Sequence, residues 1–255
     1  MIEVSGLTKH YPGGEGVRGL TFAVNPGELF VFLGPNGAGK SSTIKMLTGL
    51  MPPTSGTAFV AGHDVSKDPI SLKRDIGYVA ERAFLYEKLT GMEFLRFMAD
   101  IYGVPRKIRD ERAESLLEIF ELSEAANLLI EAYSQGMRQK IAISGVLIHE
   151  PKVLFLDEPT NGLDPRSART VKLVLREICD RGATVFMTTH VLEIAEVMCD
   201  RVGILKDGRL IAVGTVEELR RTLLMPDASL EDLFLELTGG AGRPDLQLYA
   251  GALVS

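Results

Sequence analysis

The chain has 255 residues, of which 45% are hydrophobic, so it is long enough and apolar enough to bury a sizeable core. Its formal net charge of -6 and its lack of a basic tract argue against a nucleic-acid-binding surface. Cys179 and Cys199 fit no metal-binding spacing and indicate free, buried or half-buried thiols in a reducing cytosol. Since no signal-peptide pattern or long apolar run is found, we expect that the chain neither enters nor crosses a membrane by itself.

Two strands are predicted near the N-terminus, over residues 2–8 and 20–24, each followed by a Pro- and Gly-containing turn. They indicate a small antiparallel sheet. Tyr11 lies between them among polar neighbours, as an ordinary surface residue or as a ring that lies flat against a nucleotide base. The motifs further along the chain favour the second interpretation.

The stretch from Leu29 to Ser41 is an apolar, strand-like run that breaks into glycines and ends on a lysine and a serine. Its GPNGAGKS segment, residues 34–41, fits the phosphate-binding loop pattern, in which peptide N–H groups converge on phosphate oxygens. Lys40 would supply positive charge and Ser41 would face a magnesium ion, while a helix starting near Lys40 favours anions at its N-terminus. Because the bare pattern is expected by chance in about one chain in a hundred, the prediction depends on the motifs that follow.

The middle of the chain changes character after a predicted turn at 52–56 and predicted strands at 57–61 and 76–79. Glu81 follows the second of these strands. From about residue 83 to 150, repeated apolar faces at helical spacing predict an inserted helical lobe, in which Thr90 to Glu93 has the pattern of a capping box.

Ser134 and Gly136 stand where a further helix is predicted to begin. They form either an ordinary serine cap or a second helix N-terminus that offers amides and a hydroxyl to an anion.

Two apolar strands are then predicted to end on polar residues. The run Val153 to Asp157 is typical of a parallel strand buried on both faces, and it ends in the acids Asp157 and Glu158. The aspartate suits a magnesium site and the glutamate suits the orientation of an attacking water, although paired acids also occur at solvated strand ends. The next strand, 183–189, ends at His190; a lone histidine is usually structural, but this one stands where α/β sheets place their ligands.

Beyond a turn at 160–165 and a helix predicted from Ser167 to Asp180, the C-terminal part contains a hairpin pattern at Asp207-Gly208. A helix that opens with a capping box at Thr215 to Glu218 is predicted, and another helix over residues 230–237. We expect one domain over residues 1–238. Residues 239–255 form a tail of unknown structure.

With these motifs in this order, the chain resembles the ATPase subunits of ATP-binding cassette (ABC) transporters over about residues 2–238, most of all those of bacterial multidrug or antibiotic export systems. The segments that carry the resemblance are GPNGAGKS (Walker A loop), YSQGM at 133–137 (signature), VLFLDE (Walker B strand), NGLD (D-loop) and TTH at 188–190 (switch histidine). The resemblance implies an α/β fold, with a P-loop NTPase core around a parallel sheet, an N-terminal antiparallel β subdomain and an inserted α-helical subdomain.

The same resemblance implies ATP and Mg²⁺ as cofactors and a role for each motif residue. Glu158, His190 and Lys40 would be catalytic, and Ser41, Glu81 and Asp157 would hold the metal. The nucleotide would contact Tyr11, Gly34, Pro35, Asn36, Gly37, Ala38, Gly39, Lys40, Ser41 and Ser42 of one subunit and Ser134 and Gly136 of another.

Two departures from the family pattern bear on this expectation. The signature segment keeps its serine and its second glycine but lacks the first glycine and the terminal glutamine of the usual LSGGQ. Glu81 occupies the place of a glutamine that contacts Mg²⁺ and water. A carboxylate about 4 Å from a phosphate charge would cost around 4 kcal/mol, so Glu81 must face the metal or a basic group, or stay away from the phosphates.

The resemblance also implies how the protein works and with what partners. Two subunits, most simply two copies, would close head to tail on ATP and pass the motion to a separate membrane-spanning permease, which Phe84, Leu85 and Tyr86 would contact. The chain would lie peripherally on the cytoplasmic face of the membrane and power export, with no nucleic acid involved. The alternative is a soluble ABC ATPase that remodels a non-membrane partner; a P-loop nucleotide kinase would give no reason for the set of Ser134, Glu158 and His190.

Overall fold

The computed structural model describes residues 1–14 and 16–239, so the predicted tail lies almost wholly outside the described residues. The strands are β1 (Ile2–His10), β2 (Gly16–Val24), β3 (Leu29–Leu33), β4 (Ser55–Val60), β5 (His63–Asp64), β6 (Ile76–Val79), β7 (Val153–Asp157), β8 (Thr184–Thr188), β9 (Arg201–Lys206) and β10 (Arg209–Gly214). The α-helices are α1 (Lys40–Leu47), α2 (Pro69–Asp75), α3 (Gly91–Ile101), α4 (Arg106–Ile119), α5 (Gln135–Leu147), α6 (Pro165–Asp180), α7 (Leu192–Met198), α8 (Val216–Thr222) and α9 (Leu230–Thr238).

The N-terminal sheet is antiparallel and has four strands in the order β2-β1-β4-β5. Along β1, buried Ile2 and Val4 alternate with exposed Glu3 and Ser5, as expected for a strand with one covered face. The predicted antiparallel sheet is therefore confirmed. Its edge strand β5 and the following helix α2 were not predicted, although Asp68, which caps α2, and Pro69, its first residue, form a helix-start pattern.

The second sheet has six strands in the order β10-β9-β3-β8-β7-β6, and all its pairs are parallel except that of β10 with β9. Every residue of β3, β7 and β8 is buried. Along β3, Leu29, Val31 and Leu33 join one core cluster, while Phe30 and Phe32 join the cluster shared with the N-terminal sheet. Apolar residues on both faces explain why these strands read as unbroken apolar runs.

The central helices α3, α4 and α5 pack against one another. The capping box at Thr90 and Glu93 is confirmed. Helices α3 and α5 approach closely at Gly145, where a Cβ atom would lie 2.6 Å from the Phe94 ring. The division of the chain into domains stays a prediction.

Three local predictions have clear outcomes. The helix expected from Ser167 begins at Pro165, because the side chain of Asp164 caps it by accepting hydrogen bonds from the backbone N–H groups of Arg166 and Ser167. Both cysteines are free thiols, and burial raises the pKa of Cys179 to about 11 and that of Cys199 to about 12. Over the two described ranges, no helix has the length and apolar content needed to cross a membrane.

Candidate nucleotide-binding site

The carboxyl ends of β3, β7 and β8 open into one cavity of about 720 Å³. Its lining contains all ten residues from Tyr11 to Ser42 that the sequence assigned to nucleotide contact, together with Glu81, Asp157, Glu158 and His190. Parallel strands bring these positions together because their carboxyl ends share one edge of the sheet.

The loop between β3 and α1 depends on its glycines. Gly37 and Gly39 have φ angles of 80° and 106°, in the region that side chains with a Cβ atom rarely adopt. At Gly34, a Cβ atom would lie 2.5 Å from the carbonyl oxygen of Leu205. The loop therefore curls tightly against β9, and α1 starts at Lys40 with its N-terminus at the cavity.

Lys40 brings the positive charge of the site and is almost fully buried. Its Nζ donates hydrogen bonds to the carbonyl oxygens of Gly34 at 2.6 Å and Pro35 at 3.3 Å. Burial lowers the pKa of Lys40, while the charges of Glu158, Asp157 and Glu81 act in the opposite direction. The ammonium thus stands in the field of three carboxylates.

Thr188 at the end of β8 organises the two acids and was missed by sequence reasoning. Its buried hydroxyl donates to Oδ1 of Asp157 at 2.5 Å and accepts from the backbone N–H of Glu158 at 3.2 Å. The sequence carries no signal for this role, because Thr188 meets Asp157 only through the register of β7 and β8. This contact fixes the first acid of the pair.

Glu158 and His190 form a linked pair beside Lys40. The carboxylate Oε2 of Glu158 lies 2.9 Å from Nδ1 of His190 and 3.3 Å from its backbone nitrogen. Glu158 is only 7% exposed and has a φ of 54°, a left-handed conformation that costs a non-glycine residue about 1–2 kcal/mol. Such strain at a buried carboxylate is typical of functional sites.

Tyr11 and Glu81 stand at other parts of the lining. The Tyr11 hydroxyl lies 3.1 Å from Oγ of Ser42 and 3.1 Å from Sδ of Met51, which places the ring beside the start of α1. Glu81 shares the cavity with Lys40 and Asp157, so a basic group is available to it.

Ser134 and Gly136 are absent from the lining of this cavity. Ser134 caps α5, with its hydroxyl accepting from the backbone N–H of Met137 at 3.3 Å, so the predicted serine cap is confirmed. Gly136 lies against the D-loop, where its Cβ would be 3.5 Å from the carbonyl oxygen of Gly162. The signature segment therefore contacts the D-loop of its own chain, and its Ser134 and Gly136 do not line the nucleotide cavity of that chain.

The cavity lining also contains four residues that sequence reasoning did not assign to it: Gly16, Asn161, Leu192 and Phe234. Asn161 belongs to the NGLD segment and was within reach of motif reasoning. Leu192 and Phe234 lie on α7 and α9 and have no local signature.

The oxygen donors present fit a magnesium ion that is held jointly with a nucleotide. Ser41 supplies a hydroxyl, and Asp157 and Glu81 supply carboxylates, at the same cavity as the phosphate loop. Within residues 1–14 and 16–239, no group of three or more His, Cys, Asp or Glu side chains is arranged as a complete metal cage. Magnesium commonly takes one or two protein carboxylates together with phosphate oxygens and water, so this donor set suits it.

A parallel sheet with a glycine-rich loop, a buried lysine and two acids at adjacent strand ends defines a P-loop nucleotide-binding domain. The family model described as ABC transporter matches residues 17–161. The chain belongs to the ABC transporter family, and it has the fold of the ATP-binding cassette ATPases.

Curated relatives point to the same family. The daunorubicin/doxorubicin resistance ATP-binding protein DrrA of Streptomyces peucetius is 44% identical over 222 residues, covering 87% of this chain and 67% of DrrA. The ABC-type transporter ATP-binding protein EcsA of Bacillus subtilis is 36% identical, covering 93% of this chain and 96% of EcsA. The probable multidrug ABC transporter ATP-binding protein YbhF of Escherichia coli is 39% identical over 93% of this chain, but the chain spans only 41% of YbhF.

Solved structures agree with the assignment of the fold. The ATP-binding subunit of an ABC transporter superposes with a TM-score of 0.89 at 36% identity, covering 93% of this chain and 99% of that one. A dimeric ATP-binding cassette, solved in a post-hydrolysis state with ADP and Pi, has a TM-score of 0.78 at 25% identity, covering 85% and 99%. The predicted fold class is confirmed.

Proposed function

We propose that the chain binds and hydrolyses ATP and thereby powers a membrane transporter that works as an exporter. The observation that carries the proposal is the pairing of Glu158 with His190 in the same cavity as the phosphate-loop Lys40. Relatives described as multidrug or daunorubicin resistance proteins support the export direction.

The reaction follows from the groups in the cavity. The loop amides and Lys40 bind the β- and γ-phosphates, and Tyr11 stacks against adenine. Ser41 and Asp157, with Glu81 beside them, would hold a magnesium ion, which would supply positive charge against the phosphates. Glu158 orients and polarises the attacking water, and His190 contacts the γ-phosphate from the adjacent strand end.

The functional unit is a head-to-tail dimer, most simply of two copies. Ser134 and Gly136 are absent from the lining of their own cavity, and the N-terminus of α5 suits an anion provided from outside the chain. A solved relative described as dimeric, with ADP and Pi, supports this arrangement. ATP binding then closes the dimer, and hydrolysis releases it.

A separate transmembrane permease docks at the start of the helical lobe, which keeps the chain peripheral on the cytoplasmic face of the membrane. Phe84 is 96% exposed there, and Tyr86, 55% exposed, packs edge to face on Phe97 with ring centroids 4.9 Å apart. Exposed aromatic side chains of this kind are typical anchors of protein interfaces. A solved relative, cbiO1 of Clostridium perfringens, is described as part of the ABC transporter complex cbiONQ.

Native purification from detergent-solubilised membranes of the source cells tests the proposal. We expect a multi-span membrane protein to co-purify with the wild-type chain, to be lost from the F84A/Y86A double variant and to be retained by L224A. Leu224 is the matched control because it is an apolar side chain, 87% exposed, that follows α8 and does not belong to the helical lobe. ATPase activity without any multi-span partner would instead favour a remodelling ATPase.

A further inference from the structure

The C-terminal helix α9 contributes an aromatic side chain to the nucleotide cavity. Phe234 of α9 and Leu192, the first residue of α7, both line it. Most other lining residues belong to the phosphate loop or are polar. Leu192 follows His190 by two positions, so it is linked by the chain to the part of the cavity that holds His190, and Phe234 reaches the same cavity from α9.

A partly buried ionic and backbone network fixes α9 against α7. Glu196 of α7 accepts hydrogen bonds from the guanidinium of Arg220 at 2.6 Å and from the backbone N–H of Leu230, at the start of α9, at 3.1 Å. Arg220 of α8 also donates to the carbonyl oxygen of Ala228 at 2.7 Å. One carboxylate thus joins three helices, and charge-assisted hydrogen bonds are among the stronger contacts in proteins.

Apolar packing adds to this network. Leu230 and Leu233 of α9 are fully buried in the larger core cluster, and Leu192, Phe234 and Leu237 pack against the same cluster. Of the α9 side chains in this close-packed cluster, Phe234 also lines the cavity, as Leu192 does, so a change at Phe234 bears on the first turn of α7. That turn begins directly after His190 and Val191.

We propose that Phe234 is a positioning residue of the nucleotide site, which holds the first turn of α7 and thereby sets the place of His190 against Glu158 and the γ-phosphate. The inference rests on the proposed ATPase function of this cavity. It makes the C-terminal helix, through Glu196 and Arg220, a part of the hydrolytic site.

Fluorescence tests whether position 234 senses the nucleotide, independently of turnover. Since the chain contains no tryptophan, F234W introduces a single tryptophan that can be excited selectively, and L235W on the neighbouring position of α9 is the matched control. We expect Mg²⁺ with the slowly hydrolysed analogue ATPγS to shift or quench the emission of F234W and to leave that of L235W unchanged. Calorimetry establishes that both variants bind the nucleotide. Equal responses of the two variants, or none in F234W when it is saturated, would overturn the inference.

Kinetics test the positioning role. We expect F234A to lower kcat about tenfold while KM for ATP stays within about twofold, since the side chain acts on the hydrolytic step through His190. F234L should recover most of the activity. L237A removes another apolar side chain that packs on the same core from outside the cavity, and it should turn over like the wild type. Wild-type kcat in F234A, or equal losses in F234A and L237A, would contradict the proposal.

The two proposals fail in different ways. A wild-type chain without Mg²⁺-dependent ATPase activity would overturn the proposed function, whereas the tryptophan experiment would still decide whether α9 belongs to the nucleotide site. An active wild type with an unaffected F234A overturns the positioning role alone.

Discussion

One carboxylate oxygen of Glu158 holds both the ring and the backbone of His190, at 2.9 Å from Nδ1 and 3.3 Å from the backbone nitrogen. The carboxylate accepts the backbone N–H of His190, and its contact with Nδ1 orients the two side chains as a unit. Residues that act as a unit in catalysis give non-additive effects when they are replaced.

Replacement of Glu158 by glutamine tests its assignment as the residue that orients water. We expect E158Q to lower turnover by roughly 10²-fold or more, because a general base is lost while the shape of the side chain is kept. ATP binding should persist, and ATP-dependent dimers should accumulate on size-exclusion chromatography. E193Q, which changes an exposed acid in the first turn of α7, is the control and should turn over normally. Normal turnover in E158Q would remove Glu158 from this role.

Thr188 should affect both the magnesium dependence of the ATPase activity and the stability of the fold. T188V removes the hydroxyl that donates to Asp157, which deprives a buried carboxylate oxygen of this partner at a cost of about 1–3 kcal/mol, while the backbone N–H of Glu158 keeps its hydrogen bond to the Thr188 carbonyl. We expect a lower urea midpoint and a higher Mg²⁺ concentration for half-maximal ATPase activity. T188S keeps the hydroxyl and should restore the magnesium dependence; if T188S and T188V have the same dependence, the hydroxyl does not organise Asp157.

Gly208 should be intolerant of substitution because of its neighbours. Its N–H donates to the carbonyl oxygen of Ala38 in the phosphate loop, and its own carbonyl accepts from the backbone N–H of Arg18 on β2. A Cβ atom added at Gly208 would overlap the carbonyl oxygen of Gly16. Gly62 also has a positive φ, of 86°, but has no atom within 4 Å of an added Cβ. We expect G62A to lose about 1 kcal/mol of unfolding free energy and G208A to lose clearly more. Urea denaturation of both variants measures this, and equal losses would contradict the steric argument.

His149 should make the stability of the fold sensitive to mild acid. Burial lowers the pKa of its ring, which stacks on Tyr102 at 3.7 Å between centroids. Nε2 donates to the carbonyl of Ile76, and Nδ1 is buried without a hydrogen-bond partner among the described residues. Below about pH 6.5 the unfolded chain takes up this proton more readily than the folded chain, so stability falls as the pH falls from there towards the folded pKa.

The variant H149F isolates this effect, since it removes this titrating ring and keeps an aromatic side chain at the position. Urea midpoints at pH 7.5 and 5.5 should fall further for the wild type than for H149F. An equal fall in the two proteins would mean that His149 binds its proton equally well in both states.

Several local features of this protein were predictable because contacts within a few residues set them. The capping boxes at Thr90 and Thr215 and the hairpin at Asp207-Gly208 are all confirmed. Apolar runs in the sequence identified the buried parallel strands. Because the carboxyl ends of such strands share one edge of the sheet, Asp157, Glu158 and His190 could be predicted as neighbours of the phosphate loop.

The amino-acid sequence alone therefore determined which chemical groups are available and which turns, caps and buried strands carry them, since these local elements follow from neighbouring residues. The tertiary structure alone decided the role of Thr188, which depends on the register of β7 against β8, and the place of Phe234, which depends on how α9 packs on α7. These contacts join residues thirty or more positions apart along the chain, such as Glu158 with Thr188 and Glu196 with Leu230. Distant pairings of this kind are set by the packing of the whole core, and no local pattern encodes them.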